Sequence, residues 1–353
     1  MKTVRSSQPA LADLIPYDPK YLPAKQLMSA NENPSNVPEE VQLEIRKALK
    51  NFPFNRYPDP LANELRDLIA QANGLTRDNV LLGNGGDELL FNFALAWGGP
   101  GRTFLNLPPT FSVYEANAKL VGTTVVNIPR KENFDIDEEV VLDRVAKGDI
   151  DFIMITSPNN PTGKLARGAF VRDLLNSTDA LVMVDEAYFE FSRSTMRPLL
   201  DEHENLVILR TFSKAFSLAG VRLGYILANQ AVIREFIKVR QPYSVDAVSQ
   251  AIGCAVFHNR ALFEPGINQI IEQREFLIEE LRNLPGVEVF DSDSNYILIR
   301  LAHAAQVWQE LYVRGILIRD FSSAPMLENC LRISVGLPEE NAALLAALKD
   351  IIG

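Results

Sequence analysis

Short segments that are apolar at almost every position constrain the fold of this chain more than any other feature. Residues 181–184 read Leu-Val-Met-Val, and residues 206–209 read Leu-Val-Ile-Leu. A strand without a polar face needs cover on both sides, as in a parallel sheet that lies between two layers of helices. The pattern predicts seven such strands, at residues 80–82, 103–107, 123–128, 152–156, 181–184, 206–209 and 223–227.

Amphipathic helical patterns lie between several of these strands, at residues 62–73, 88–97, 112–120, 137–147 and 167–176. This alternation is typical of an α/β domain whose mostly parallel sheet has helices on both faces. After about residue 230 helices dominate, with a long one near residues 263–284, and then short strands and helices alternate from residue 296. We predict a large domain over residues 46–240 and a smaller α+β domain over residues 241–353. The proline-rich residues 1–45 are predicted to form an extended segment and part of the small domain.

The charge of the chain disfavours two classes of binding partner, nucleic acids and anionic membranes. Lys and Arg number 35 and Asp and Glu number 45, which gives a net charge of −10. An acidic chain is a poor general binder of nucleic acid or of anionic membranes. The N-terminal sequence lacks an apolar core of signal-peptide length, so we expect a cytoplasmic protein. The two cysteines lie far apart and the three histidines share no ligand spacing, so neither a disulfide nor a metal site is predicted.

Polar clusters follow three of the predicted strands. They read Ser-Pro-Asn-Asn-Pro-Thr-Gly at residues 157–163, Asp-Glu-Ala-Tyr at residues 185–188, and Arg-Thr-Phe-Ser-Lys at residues 210–214. The carboxyl edge of the strands is where α/β folds place ligands. A lysine, an aspartate, a tyrosine and an asparagine in that setting are what a protein needs to hold pyridoxal phosphate.

Each of these residues has a role in such a site. Lys214 would form the imine with the cofactor, since lysine carbonyl chemistry needs a neutral amine or an imine already formed. Asp185 would pair with the protonated pyridine nitrogen, and Tyr188 and Asn160 would hydrogen-bond the phenolic oxygen of the ring. The structural alternatives are an exposed loop lysine, an aspartate that caps a helix and a plain tight turn at residues 157–163.

A glycine-rich turn, Gly-Asn-Gly-Gly-Asp-Glu at residues 83–88, follows the first predicted strand and opens a helix. Glycines there let backbone N–H groups approach a phosphate at the helix N-terminus. Thr211, Ser213 and Arg222 would add hydroxyl and cationic contacts. Such turns are also common without a ligand. Phe111 follows another strand, where it would either stack on the cofactor ring or pack in the core.

Two of the arginines in the predicted small domain are candidates for binding a substrate anion. Arg332 interrupts an apolar strand, and a buried arginine is costly without an anion. It would clamp a substrate carboxylate with two parallel hydrogen bonds, or form a structural ion pair. Arg319 is similar but stands next to Asp320, which favours the structural alternative.

Taken together, the motifs identify a family resemblance that runs from about residue 15 to the C-terminus. The chain resembles the fold-type-I, class I/II aminotransferases that depend on pyridoxal phosphate. The motifs that carry the resemblance lie at residues 29–34, 55–59, 85–88, 157–163, 185–188, 211–222 and 331–333.

The resemblance implies the roles of the cofactor ligands. Lys214 matches the Schiff-base lysine, Asp185 the partner of the pyridine nitrogen, and Asn160 and Tyr188 the ligands of the ring oxygen. The phosphate ligands that it implies are Gly86, Asp87, Thr211, Ser213, Arg222 and, donated by the other subunit of a homodimer, Tyr57. The stacking position, often tyrosine in similar enzymes, is Phe111 here.

The resemblance also implies substrates. Within the family the chain is most similar to enzymes that act on L-histidinol phosphate in histidine biosynthesis, with glutamate and 2-oxoglutarate as the second pair in a ping-pong reaction. Arg332 matches the carboxylate-binding residue, Tyr17 and Arg319 match positions at the substrate phosphate, and Tyr17 would come from the other subunit. Asn33 lies in the substrate-side loop.

Other functions stay open on the sequence alone. An aromatic amino-acid aminotransferase or a threonine-phosphate decarboxylase would carry the same cofactor ligands, because these enzymes differ in the residues around the substrate. A ligand-sensing regulator would carry a basic DNA-binding domain before this pattern, and the acidic chain disfavours it.

Overall fold

The twelve strands of the described chain form two sheets. A computed structural model describes residues 11, 14, 18 and 20–353. In chain order the strands are β1 (Gln26–Met28), β2 (Val80–Asn84), β3 (Thr103–Asn106), β4 (Thr124–Asn127), β5 (Phe152–Thr156), β6 (Leu181–Asp185), β7 (Leu206–Thr211), β8 (Leu223–Ala228), β9 (Val287–Val289), β10 (Tyr296–Leu301), β11 (Ile316–Asp320) and β12 (Cys330–Ser334).

Helices fill most of the intervals between the strands. They are α1 (Glu39–Ala48), α2 (Asn63–Ala72), α3 (Gly85–Trp97), α4 (Val113–Leu120), α5 (Glu138–Val145), α6 (Gly168–Ser177), α7 (Phe189–Ser192), α8 (Gln230–Val239), α9 (Ala247–His258), α10 (Glu264–Arg282), α11 (Ala304–Val313) and α12 (Pro338–Ile352). Among the helices of the described residues, none is long and apolar enough to cross a bilayer.

The larger sheet has seven strands in the order β2-β8-β7-β6-β5-β3-β4. Only β8 runs against its neighbours within it. Successive residues of a strand point to opposite faces, so in β6 Val182 and Val184 pack in one core while Leu181 and Met183 pack in the other. This explains why the strands are apolar throughout. The predicted α/β fold class, with a mostly parallel sheet under helices, is confirmed.

The smaller sheet has five strands in the order β1-β11-β12-β10-β9. Its two edge strands, β1 and β9, are only three residues long and were not predicted. In β1, Gln26 pairs with Ile316 of β11 in parallel register. The first strand of the smaller sheet therefore lies far from its other strands in the sequence. The domain boundaries at residues 45 and 240 stay a prediction.

One edge of the larger sheet positions the candidate site. Thr156 of β5 is in register with Asp185 of β6, and Asp185 is in register with Leu209 of β7. Because these three strands are parallel, the polar clusters that follow them leave the sheet side by side. Arg332 of β12 reaches this edge from the smaller sheet and donates a hydrogen bond to Asn160. The site therefore lies where the two sheets meet.

Candidate active site

A cavity of about 560 Å³ opens at the meeting point of the two sheets. Most of the site residues that the sequence predicts line this cavity, although they come from distant parts of the chain. Those that line it are Gly86, Asp87, Phe111, Asn160, Asp185, Tyr188, Thr211, Ser213, Lys214, Arg222, Arg319 and Arg332.

Asp185 is a buried carboxylate at the end of β6, with 5% of its surface exposed. Its Oδ2 atom accepts a hydrogen bond of 2.6 Å from the Tyr114 hydroxyl, and Oδ1 accepts one of 3.0 Å from the Ala187 amide. Burial raises the pKa of Asp185 to about 6, although these two hydrogen bonds act in the opposite direction. A cationic group bound next to this carboxylate would offset the cost of its burial.

Tyr114 is a site residue that was not predicted from the sequence. It is fully buried in α4, and its hydroxyl lies 2.6 Å from both Asp185 Oδ2 and the Thr156 hydroxyl. Burial and the charge of Asp185 raise the pKa of Tyr114, so the hydroxyl keeps its proton and orients the carboxylate. The available signal was weak, since a tyrosine inside an apolar helical pattern looks like a core residue.

Lys214 lies in the turn after β7, and its Nζ atom donates a hydrogen bond of 3.0 Å to the carbonyl oxygen of Ala30. The side chain is partly buried. Burial lowers the pKa of Lys214 to about 8, and the guanidinium charges of Arg332 and Arg222 act in the same direction. A larger share of neutral amine is therefore present near neutral pH than an ordinary lysine would give.

This pKa predicts how Lys214 reacts in the cofactor-free protein. Addition to an aldehyde needs the neutral amine, so reductive labelling with formaldehyde should reach half its maximum near pH 8 instead of 10.5. Mass spectrometry of peptides measures the label at this residue. Arg332→Gln removes one of the charges that lower the pKa, so the midpoint should rise. A midpoint near 10.5 in the unaltered protein would contradict the prediction.

Tyr188 and Asn160 line the same cavity as Asp185. The Tyr188 hydroxyl accepts a hydrogen bond of 3.1 Å from Asn31, whose own backbone is fixed by Ser334 of β12. Oδ1 of Asn160 accepts from Arg332, which leaves Nδ2 as the donor group of this side chain. Asn31 belongs to one of the family motifs, but no role was predicted for it. Its backbone lies in the left-handed region at φ 54°, which asparagine tolerates well.

The other end of the cavity is built for an anion. Helix α3 begins at Gly85, and its first backbone N–H groups point out of the helix end. The φ of Gly85 is +75°, which favours glycine, and an added Cβ would lie 2.5 Å from Nη2 of Arg222, so that guanidinium would have to shift. Arg222 pairs with Asp87 at 3.0 Å. The hydroxyls of Thr211 and Ser213 lie 3.0 Å apart beside this cluster.

Three further predicted residues line the walls of the cavity. Phe111 packs edge-on against Tyr114, with ring centroids 5.6 Å apart. Arg319 donates a hydrogen bond of 2.9 Å to the carbonyl oxygen of Asp18, which places Asp18 next to a residue of the cavity wall. Arg332 donates to the carbonyl oxygen of Ser29 at 2.7 Å and is 5% exposed, so its cation is buried at the cavity wall.

Three predicted residues do not line the cavity. Tyr57 is 82% exposed and stacks on Tyr243 at the surface, with ring centroids 4.6 Å apart. Asn33 donates a hydrogen bond of 3.3 Å to the carbonyl oxygen of Ala215, directly after Lys214, but its side chain stops short of the cavity. Tyr17 lies outside the residues that the structure describes.

Known proteins that are similar to this chain identify its family. A family model of the class I and II aminotransferases matches residues 24–348. The chain belongs to this family. The chain is 40% identical to the histidinol-phosphate aminotransferase of Pelodictyon phaeoclathratiforme over 324 residues, which cover 92% of this chain and 91% of that protein. It is 39% identical to histidinol-phosphate aminotransferase 1 of Carboxydothermus hydrogenoformans over the whole of both chains.

A solved structure supports the fold of this aminotransferase. The histidinol-phosphate aminotransferase of Sinorhizobium meliloti, solved with pyridoxal 5′-phosphate, superposes with a TM-score of 0.88 at 24% identity. The superposition covers 99% of this chain and 98% of that one. Membership of the family implies pyridoxal phosphate as the cofactor.

The residues of the cavity fit that cofactor. Phosphate needs an anion site, and the α3 N-terminus, two hydroxyls and Arg222 lie together at one end. The turn at Gly85 packs against the Arg222 guanidinium, which an added Cβ would displace from its present position. A protonated pyridine needs an anion, and the buried Asp185 carboxylate lies on the cavity wall. The charges of the cavity therefore match the charges of the cofactor at both ends.

Proposed function

We propose that this aminotransferase moves an amino group between L-histidinol phosphate and 2-oxoglutarate, with pyridoxal phosphate held on Lys214. One observation carries the proposal. Lys214, Asp185 and the phosphate-side residues Thr211, Ser213 and Arg222 line the same cavity as two further arginines, Arg319 and Arg332. Lys214, Asp185 and the phosphate-side residues suit the cofactor, and Arg319 and Arg332 suit anionic substrates. The names of the similar proteins support this choice of substrate.

The residues around the cavity would divide the chemistry. When bound, pyridoxal phosphate supplies an aldehyde that takes up the amino group and a ring that withdraws electrons. Lys214 would carry the proton that leaves the substrate Cα, since an amine with a pKa near 8 can both accept and return a proton near neutral pH. Asp185 would hold the positive charge of the ring nitrogen, and Tyr188 and Asn160 would donate to the ring oxygen.

Two substrates with different anionic groups must use one cavity in turn. Arg332 is buried and presents a planar fork, which suits a carboxylate with two parallel hydrogen bonds. Arg319 also lines the cavity and donates to the carbonyl oxygen of Asp18, and it would meet a phosphate tail there. We propose that Arg332 holds the carboxylate of glutamate and 2-oxoglutarate, and that Arg319 holds the phosphate of histidinol phosphate.

The exposed Tyr57 is the basis for proposing a homodimer. An aromatic pair of Tyr57 and Tyr243 on the surface is costly in water and suits an interface. We propose that Tyr57 reaches the cofactor phosphate of a second copy, and that Tyr17 contributes to the substrate site across the same interface. Each site would then be complete only in the dimer.

The role of Arg332 predicts a selective loss of substrate affinity. Arg332→Lys keeps the charge but removes the planar fork, so KM for glutamate should rise by about 10- to 100-fold, the effect of losing one or two charge-assisted hydrogen bonds. Steady-state kinetics with glutamate measure it. Arg300→Lys, on the neighbouring strand β10, changes an arginine paired with Glu288 and should leave KM unchanged. An equal effect of both substitutions would contradict the role.

Comparison of substrates tests the proposal as a whole. The purified holoenzyme should convert L-histidinol phosphate with a higher kcat/KM than L-phenylalanine, and it should not release carbon dioxide from O-phospho-L-threonine. Glutamate and histidinol phosphate should each change the visible absorption of the bound cofactor. A preference for phenylalanine, or decarboxylation of phosphothreonine, would replace the proposed function by one of its alternatives on the same scaffold.

A further inference from the structure

Behind the cavity lies a buried ion pair that the proposed chemistry does not use. The side chains of Glu186 and Arg210 are 1% and 6% exposed and lie 2.9 Å apart. Glu186 directly follows Asp185, and Arg210 directly precedes Thr211. A buried ion pair adds little net stability over an apolar pair of the same size. The position of this pair therefore needs another physical reason.

The pair lies on the far face of the larger sheet. Side chains alternate between the two faces of a strand, so Asp185 and Thr211 line the cavity while Glu186 and Arg210 point away from it. The backbone amide of Glu186 donates to the carbonyl oxygen of Leu209 at 2.8 Å, which extends the pairing of β6 and β7 to their ends. The ion pair thus connects these two strand ends where they carry the residues that face the cavity.

All three nitrogens of the Arg210 guanidinium have partners. Nε donates to Glu186 at 2.9 Å, Nη2 to the Thr195 hydroxyl at 2.8 Å, and Nη1 to the Asn73 side chain at 3.0 Å. The guanidinium also lies 3.9 Å over the ring of Phe189. These contacts come from two parts of the chain, residue 73 and residues 186–195, and they hold the guanidinium on several sides.

Glu186 is held as closely as its partner. Its carboxylate accepts hydrogen bonds from the Thr195 hydroxyl at 2.9 Å and from the Met196 amide. A second carboxyl nearby, Glu190, is also buried, and burial raises the pKa of Glu190 to about 8. This raised pKa favours the neutral form of Glu190, and Glu186 is the carboxylate that accepts a hydrogen bond from Arg210.

We infer that Glu186 and Arg210 are positioning residues, which fix the ends of β6 and β7 and so hold Asp185 and the Thr211–Lys214 turn at one distance for the cofactor. This rests on the proposed function, because that distance matters only if both elements bind one ligand. The pair acts through the backbone and touches no reactant. Its loss should weaken cofactor binding more than the loss of an equally buried arginine elsewhere.

A matched pair of substitutions tests the inference. Arg210→Lys removes the fork but keeps the charge, and it should raise the Kd for pyridoxal phosphate by about 10-fold, the effect typical of losing a residue that orients a ligand's partner. Arg274→Lys is the control, since Arg274 is also buried, with 6% of its surface exposed, and donates to the carbonyl oxygens of Phe191 and Ser294 without lining the cavity. It should leave the Kd unchanged even where it lowers the unfolding temperature. Equal effects of the two substitutions on the Kd would overturn the inference.

A double-substitution cycle keeps the test valid if Arg210→Lys folds poorly. Glu186→Gln, Arg210→Gln and the double substitution are compared by Kd for pyridoxal phosphate and by the visible spectrum of the holoenzyme. If the two residues act as one unit, the double substitution should weaken binding about 10-fold, as each single one does, and not about 100-fold. If the fold-changes in Kd of the two single substitutions multiply in the double one, Glu186 and Arg210 act independently and the inference is refuted. If the unaltered protein binds no pyridoxal phosphate on Lys214, the proposed function fails before the inference is tested.

Discussion

Replacement of Lys214 by alanine is expected to lower kcat by about 10⁴-fold or more, because it removes both the covalent tether of the cofactor and the group that moves the proton. Single-turnover kinetics with glutamate measure the loss. The fold should survive, since Lys214 makes one hydrogen bond, to Ala30, and its charged form is disfavoured by burial. The unfolding midpoint of the cofactor-free variant should equal or exceed that of the unaltered protein.

A second lysine provides the control for this substitution. Lys164 follows the 157–163 cluster, is partly buried and lies 4.0 Å from Asp135, outside the cavity. Lys164→Ala should keep its activity and its visible absorption band. Borohydride treatment followed by peptide mapping should place the cofactor on Lys214 in the unaltered protein. Turnover retained by Lys214→Ala, or a label on another residue, would rule out the proposed mechanism.

Asp185→Asn is expected to lower kcat by about 10²- to 10³-fold, the usual cost of removing one preorganised charge at the reacting group. Asparagine keeps the shape and one accepting oxygen, but it cannot hold a positive charge on the ring nitrogen. Steady-state kinetics with saturating pyridoxal phosphate separate this loss from weaker cofactor binding. Asp87→Asn, at the phosphate end of the cavity, is the control and should have a smaller effect on kcat. Equal losses of kcat in the two variants would show that the Asp185 charge has no special role at the ring nitrogen.

The same substitution should stabilise the cofactor-free protein, which gives a second measurement. Folding raises the pKa of Asp185 from 3.8 to about 6, so its stabilising effect is complete below pH 4 and is lost as the pH rises through 6. Above pH 6 the charged carboxylate costs up to about 3 kcal/mol in the free energy of unfolding. Asp185→Asn should remove this pH dependence, as denaturant unfolding at pH 5 and pH 8 would show. An unchanged slope with pH would contradict the effect of burial on this carboxyl.

Much of the larger sheet could be predicted because its signal is local. The predicted strands at residues 181–184 and 206–209 end one and two residues before the observed ends, at Asp185 and Thr211. A run of apolar residues on both faces needs no partner to be visible. The edge strands β1 and β9 were missed because three residues carry too little periodicity to be distinguished from loops.

The residues of the candidate site also divide into those with a local sequence signal and those without one. Lys214, Asp185, Tyr188 and Asn160 were predicted from residue type and from their place after strands, and they meet in one cavity. Tyr114 was missed, because its role comes from one hydrogen bond to a residue 71 positions away. Glu186 and Arg210 were visible in the motifs, yet their pairing depends on the register of β6 and β7.

The sequence by itself determined the seven strands of the larger sheet, several of the helices between them and the kinds of side chain that follow each strand, since periodicity and residue type act over a few neighbouring residues. Only the tertiary structure decided which of those side chains meet. Arg332 contacts Asn160 across 172 positions, and Asn31 reaches Tyr188 across 157. Such contacts depend on how the two sheets pack, and that packing also buries Asp185 and Lys214 enough to move their pKa values toward neutrality.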